Sequence, residues 1–267
     1  MTVSLPELTY FRFEGSAVLV EELVAGLDIP SLQKLYLSLF RGDHAFRIPH
    51  LSAIIHNMGR PFYAAQIKAS TGSYIISLLT HSHVVDGPSL SLFTLGQSTI
   101  AQIGSELSAM LSTVEDLFIS LSSPSMPHDS PLVNIAPFFE FLEKLHNVKV
   151  LRVQHGLETE VADVLRAYNR QPTTNRLHLV ADGADLDATI STDIPINPNE
   201  FNVGIFPSLE RIEVHPKFPG TRIPGSKRAS YLKPFEEFVT ARQQAGRPVK
   251  VYCNTDQVPP TSFYAWS

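Results

Sequence analysis

Cysteine occurs once in the 267 residues, as Cys253. A lone thiol excludes an intramolecular disulfide framework and leaves no CxxC pair for zinc or redox work, and it fits a reducing intracellular compartment, the cytoplasm or nucleus. Charge is also sparse. Only 18% of residues are Asp, Glu, Lys or Arg, and the net charge of −5 carries no basic excess. The counterion release that drives nucleic-acid binding therefore has little to act on, and nucleic acid is not an expected partner. The most apolar stretches, such as Tyr74 to Leu79, fall far short of the roughly 20 residues that span a bilayer, so no membrane helix is expected. Met1 to Leu8 has neither the basic start nor the apolar stretch of a signal peptide. Glycines never cluster as a phosphate-cradling loop, so no nucleotide site is expected, and no cofactor or metal is expected either.

Hydrophobic residues, by contrast, make up 43% of the chain, which with so few charges describes a globular protein. One pattern recurs: an apolar residue, two variable ones, an apolar one, one variable, another apolar one. It appears as Leu8, Phe11, Phe13; as Leu32, Leu35, Leu37; as Val114, Leu117, Ile119; as Val148, Leu151, Val153; and as Leu209, Ile212, Val214. Weaker copies are Ala64, Ile67, Ala69 and Leu90, Phe93, Leu95. The last two apolar positions of each copy are two apart, which places them on one face of a short strand.

Most copies are followed by apolar residues at helical spacing, as in Val18, Leu19, Leu23, Val24 and Leu27. Pro49 suits the first turn of a helix and Gly59 its end. Further helices are predicted over Ser98 to Leu111 with Ser98 as N-cap, Ile135 to Leu145, Leu157 to Tyr168, and Tyr231 to Gln244. The last is stopped by Gly246 and followed by a closing strand, Pro248 to Tyr252. Phe62 to Ala69 and Tyr74 to His81, separated by Ser70 to Ser73, read as a β-hairpin. Ser122 to Asn134 and Ala181 to Gly204 read as loops.

The expected fold is α/β, a single domain over residues 1–267: an irregular leucine-rich-repeat-like solenoid, with mostly parallel strands in chain order on one side, helices on the other, and the hairpin as an interruption.

The segments LPELTYFRFEGSAVLVEELVAGLDIPSLQKLYLSLF (Leu5 to Phe40), FRIPHLSAII (Phe46 to Ile55), LSTVEDLFIS (Leu111 to Ser120), FLEKLHNVKVLRV (Phe141 to Val153) and PFEEFVTARQQAGRPVKVY (Pro234 to Tyr252) together resemble the leucine-rich-repeat-like region of the fungal, mushroom-type F-box protein family. The resemblance implies a protein-recognition scaffold, the substrate-binding part of a ubiquitin-ligase adaptor, with a protein substrate on its strand face. It also implies docking to a Skp-type adaptor through an F-box ahead of the repeats. Here the LPxL-like start, Leu5 to Leu8, leads directly into the first predicted strand, so adaptor docking is expected only with an upstream F-box.

Chemistry is the alternative. His81, His83 and Asp86, in THSHVVDG, form the sharpest polar cluster. His-x-His sets two imidazoles on one face of an extended chain and the nearby carboxylate could add a hard ligand, as in a metal-dependent hydrolase, yet catalytic zinc usually takes three protein ligands and the rest of a metallohydrolase pattern is absent. SHVVDG also resembles the HxxxDG segment of BAHD-type acyltransferases, whose histidine is the general base, but His83 to Asp86 is one residue too short. A polar strand end with Asp86 and Gly87 in a turn is the preferred reading, and the chain is not expected to be an enzyme. Cys253 has no companion of known position and reads as buried filler rather than a nucleophile.

Binding residues are sought at the variable strand positions, which alternate away from the core: Tyr10 and Arg12, Lys34 and Tyr36, Asp116 and Phe118, Lys149 and Arg152, Arg211 and Glu213. Aromatic residues and Arg dominate interface energetics, which selects Arg12, Tyr36, Phe118 and Arg152 as protein-binding candidates.

Overall fold

A computed structural model describes residues 2–40, 47–59, 61–70, 73–80, 90–95, 97–121, 135–154, 156–169, 205–215 and 228–253. In chain order the elements are β1 (Val3–Ser4), β2 (Tyr10–Ser16), α1 (Ala17–Ala25), β3 (Leu27–Asp28), β4 (Lys34–Phe40), α2 (Pro49–Asn57), β5 (Ala64–Ser70), β6 (Ser73–Leu79), β7 (Leu90–Leu95), α3 (Gln97–Glu106), α4 (Ser108–Leu111), β8 (Asp116–Leu121), α5 (Ile135–Leu142), β9 (Val150–Gln154), α6 (Glu158–Asn169), β10 (Arg211–His215), α7 (Arg228–Leu232), a 3-10 turn at Lys233–Phe235, α8 (Glu236–Gln244) and β11 (Lys250–Cys253). The protein is mixed α/β with one large, mostly parallel sheet. Among the described residues no helix is long and apolar enough to cross a membrane.

Nine strands form that sheet in the order β11–β10–β9–β8–β5–β6–β7–β4–β2. All neighbours pair in parallel except β6, which runs antiparallel to both β5 and β7. The period-two apolar residues fall into transverse rows. Register aligns Phe13, Leu37, Leu92, Ile76, Ile67, Ile119, Val153 and Val214 from strand to strand. A second row carries Phe11, Leu35, Leu90, Leu78, Ala65, Leu117, Leu151 and Ile212. These side chains share one core with Val20 and Val24 of α1, Leu51 and Ile55 of α2, Ile103 of α3, Phe141 of α5, Leu165 of α6 and Phe238 of α8. Each such aliphatic side chain contributes about 1.5–3 kcal/mol on full burial.

Five strands start in the same way. An apolar residue three positions ahead of the recurring pattern closes a turn, with amide-to-carbonyl bonds Leu8 to Leu5, Leu32 to Ile29, Val114 to Leu111, Val148 to Leu145 and Leu209 to Phe206, all between 3.0 and 3.4 Å. The next backbone carbonyl then accepts two amides from the neighbouring strand: Thr9 from Gln33 and Lys34, Glu115 from Lys149 and Val150, Lys149 from Glu210 and Arg211. Tyr63 accepts in the same way from Glu115 and Asp116. One local geometry is thus reused along the sheet, and it stacks because each unit's carbonyls meet the next unit's amides.

Helix ends follow local chemistry. Pro49 starts α2 as expected, and with no side-chain cap of its own that helix takes the Glu21 carboxylate from α1, which accepts from the His50 and Leu51 amides at 3.0 and 2.9 Å. Gly59 and Gly246 end their helices at φ +68° and +70°, a region a Cβ disfavours. A Cβ at Gly246 meets nothing within 4 Å, so the conformational effect stands alone there. Gly246→Ala is expected to lower folding stability by about 1–2 kcal/mol, read from the urea midpoint.

The structure departs from the sequence expectation in several places, among them the helix expected over Ser98 to Leu111, which is two helices, α3 and α4, broken at Leu107. The strands do not lie in strict chain order: β5, β6 and β7 form a three-stranded meander laid in reverse between β4 and β8. The chain passes two strand positions on the way from β4 to β5 and again from β7 to β8. The pattern copy at Leu90, Phe93, Leu95 is out of phase, since Leu90 and Leu92 are fully buried in the core while Phe93 lines a hollow on the opposite face. The predicted helix Tyr231 to Gln244 is split at Pro234 in the 3-10 turn, because proline lacks the amide and restricts the residue before it. Ser98 is not the N-cap: β7 runs to Leu95 and α3 begins at Gln97, which puts Ser98 inside the first turn.

Candidate recognition face

Side chains alternate along strands, so every second residue of the sheet points away from the core. Register lines these up as Arg12, Tyr36, Ser91, Ser77, Gln66, Phe118, Arg152, Glu213 and Tyr252, one row from edge to edge. All four candidate residues, Arg12, Tyr36, Phe118 and Arg152, lie on it. The small apolar cluster on this face, Ala64, Leu79 and Phe118, contains no helix residue.

The row divides into two halves of different character. Over β2, β4, β7, β6 and β5 the face holds a hollow of about 320 Å³, lined by Tyr10, Arg12, Tyr36, Gln66, Lys68 and Phe93 among others, again with no helix residue. The Tyr10 and Tyr36 rings pack with centroids 5.4 Å apart, tilted by 43°. Burial, and then the neighbouring Tyr10, raises the Tyr36 hydroxyl above its ordinary pKa. Arg12 is ion-paired to Glu14 two residues on, which holds its guanidinium above the ordinary value. Lys68 has no carboxylate partner among the described residues, and burial lowers its ammonium below the ordinary lysine value.

Over β8, β9 and β10 the same face is filled and charged. Phe118 is 1% exposed and meets the edge of His215 at 6.1 Å. Arg152 reaches Asp116 at 2.8 Å and Glu213 at 3.5 Å. Arg211 and His215 add contacts to Glu213 at 3.1 and 3.2 Å. Burial raises the Asp116 carboxyl, with Arg152 opposing. Burial also pushes Glu213 upward, but the hydrogen bond with His215 and the charges of Arg152 and Arg211 outweigh it and hold the carboxyl below its ordinary value.

The sign for stability follows from linkage. A carboxyl whose folded pKa lies below its unfolded value adds stability above the unfolded value, near 4.5, and loses it as pH falls through the folded one. Glu213→Gln is therefore expected to destabilise the protein at pH 7 and to make a shrinking difference as pH drops below about 4.5. Urea midpoints of the two proteins across pH 3–7 check this.

Of the sequence candidates, then, Arg12 and Tyr36 line the hollow, Phe118 is buried, and Arg152 is held in the ion-pair network. Lys149 precedes β9 and pairs with Glu115 at the rim, 2.8 Å away. His81, His83 and Asp86 lie outside the described residues. Cys253 ends β11 beside Val214 and is partly buried. Sequence reasoning missed Lys68, Gln66, Ser77 and Phe93 because they belong to the reversed meander. The signal available was the alternate phase of β5 and β7, which becomes meaningful only once the strand order is known.

No family model, no curated protein and no solved structure matches this chain.

Proposed function

We propose that the chain is a protein-recognition scaffold, an irregular leucine-rich-repeat-like solenoid whose sheet face opposite the helical core docks a protein substrate. By its resemblance to mushroom-type F-box proteins it is the substrate-binding part of a ubiquitin-ligase adaptor, and it meets a Skp-type adaptor where an F-box is joined ahead of it. The supporting observation is the hollow on that face, spanning five adjacent strands, carrying Arg12 and Tyr36, and lined by no helix residue among the described residues. The reused strand-start geometry supports the repeat reading, since stacked units build such a face by translation. The role assigned to the hollow is binding without bond making or breaking.

The test is site-specific photo-crosslinking in cells. A benzophenone amino acid at Tyr36 is expected to capture a discrete protein, while the same probe at Gln243, on the exposed side of α8, captures none. Equal capture from both positions, or none from Tyr36, overturns the proposal.

A further inference from the structure

We propose that the hollow accepts an acidic peptide segment, a carboxylate meeting Lys68 and an apolar flank lying against Tyr10, Tyr36 and Phe93. The inference rests on the recognition reading and adds to it the chemistry of the partner.

Charge placement carries it. Among the described residues lining the hollow, the charged ones are Arg12, Glu14 and Lys68. Arg12 and Glu14 neutralise each other as neighbours on β2. Lys68 stands on β5, four strand positions from β2, about 19 Å at the usual strand spacing. That is the separation of the backbones; Glu14 is ion-paired to Arg12 on its own strand, and burial is the one influence on the Lys68 ammonium, so Glu14 does not compensate Lys68. The nearest residues across the sheet are Ile75 on β6 and Ser120 on β8, both uncharged.

Among the described residues this half-buried ammonium has no counter-charge, and such burial opposes folding. Burial already biases this one against its charged form. An incoming carboxylate reverses the bias and forms a charge-assisted hydrogen bond in a partly dry site. The aromatic wall explains why a peptide side chain or backbone, and not a bare anion, fits the remaining space: the Tyr10 and Tyr36 rings are in contact with each other, and Phe93 lines the same hollow. Ser77 and Ser91, adjacent on the central row, offer hydroxyls to a peptide backbone.

The experiment is selection of a phage-displayed random peptide library on the purified full chain, followed by affinity measurement on Lys68→Met and Lys68→Arg. The inference expects enrichment of peptides with Asp or Glu beside an apolar residue, a loss of about tenfold or more in affinity on Lys68→Met, and near-retention on Lys68→Arg. Lys68→Met is also expected to unfold no earlier than the parent, since no ion pair is lost. Peptides without acidic residues, or binding indifferent to Lys68→Met, overturn the inference while leaving a docking face. Failure to enrich any peptide also overturns it, and Tyr36 crosslinking, run in parallel, then decides the recognition reading by itself.

Discussion

Arg152→Ala is expected to lower folding stability by about 3–5 kcal/mol, the range for removing one partner of a buried ion pair. The guanidinium holds Asp116 and Glu213 at once, and the three side chains are only 14%, 17% and 10% exposed. Its loss takes from Asp116 the guanidinium that pairs it and leaves Glu213 to Arg211 and His215, in a region that solvent barely reaches. Burial has already raised Asp116 despite Arg152, so without Arg152 that carboxyl either protonates or stays charged against the weaker pull of Arg211 and His215. The triple replacement Asp116→Asn, Arg152→Met, Glu213→Gln is expected to recover most of the loss, because it removes the buried charges together. Arg12→Ala, by contrast, should leave the urea midpoint unchanged, since the Arg12–Glu14 pair is exposed and such pairs contribute little. An Arg152→Ala protein as stable as the parent would show that the network is not structural.

Phe141→Ala is expected to cost about 3–5 kcal/mol through the cavity it leaves. Phe141 on α5 is fully buried at the point where α5 meets α3. A Cβ added at Gly104 of α3 would lie 3.1 Å from both Cα and Cδ2 of Phe141, so glycine lets the backbones approach and the ring fills what remains. Such a tight contact leaves little freedom for collapse, which favours the upper part of the range. The unfolding midpoint in urea reads it directly, and a loss below about 1 kcal/mol would place Phe141 outside the tightly packed core.

The core side of the sheet was legible because strand period and burial agree. Phe11, Leu35, Leu117, Leu151 and Ile212 all sit in one register row, each placed by its own apolar pair. The preceding apolar residues, Leu5, Ile29, Leu111, Leu145 and Phe206, were harder to see. They close turns, and Leu111 and Leu145 read in sequence as the last residues of helices. Strand order was not legible in the meander. A hairpin signal fixes that β5 meets β6, but whether β5 or β7 lies against β4 is decided by long-range packing that no local pattern encodes. For the same reason Arg12 and Tyr36 could be placed outward by alternation alone. The ion partners of Arg152 come from β8 and β10, and its engagement became visible only with three strands assembled.

The recognition hollow exists only if β7 and β6 lie between β4 and β5, and thiol crosslinking tests that order in one step. In a Cys253→Ser background, Tyr36→Cys with Ser91→Cys places two thiols on register partners, about 4.8 Å apart at the backbone. Tyr36→Cys with Gln66→Cys places them three strand positions apart, about 14 Å. A short bifunctional thiol reagent is expected to link the first pair within one chain and to leave the second unlinked. Linkage of Tyr36→Cys to Gln66→Cys, with none to Ser91→Cys, would put β5 beside β4 in simple chain order and dissolve the hollow.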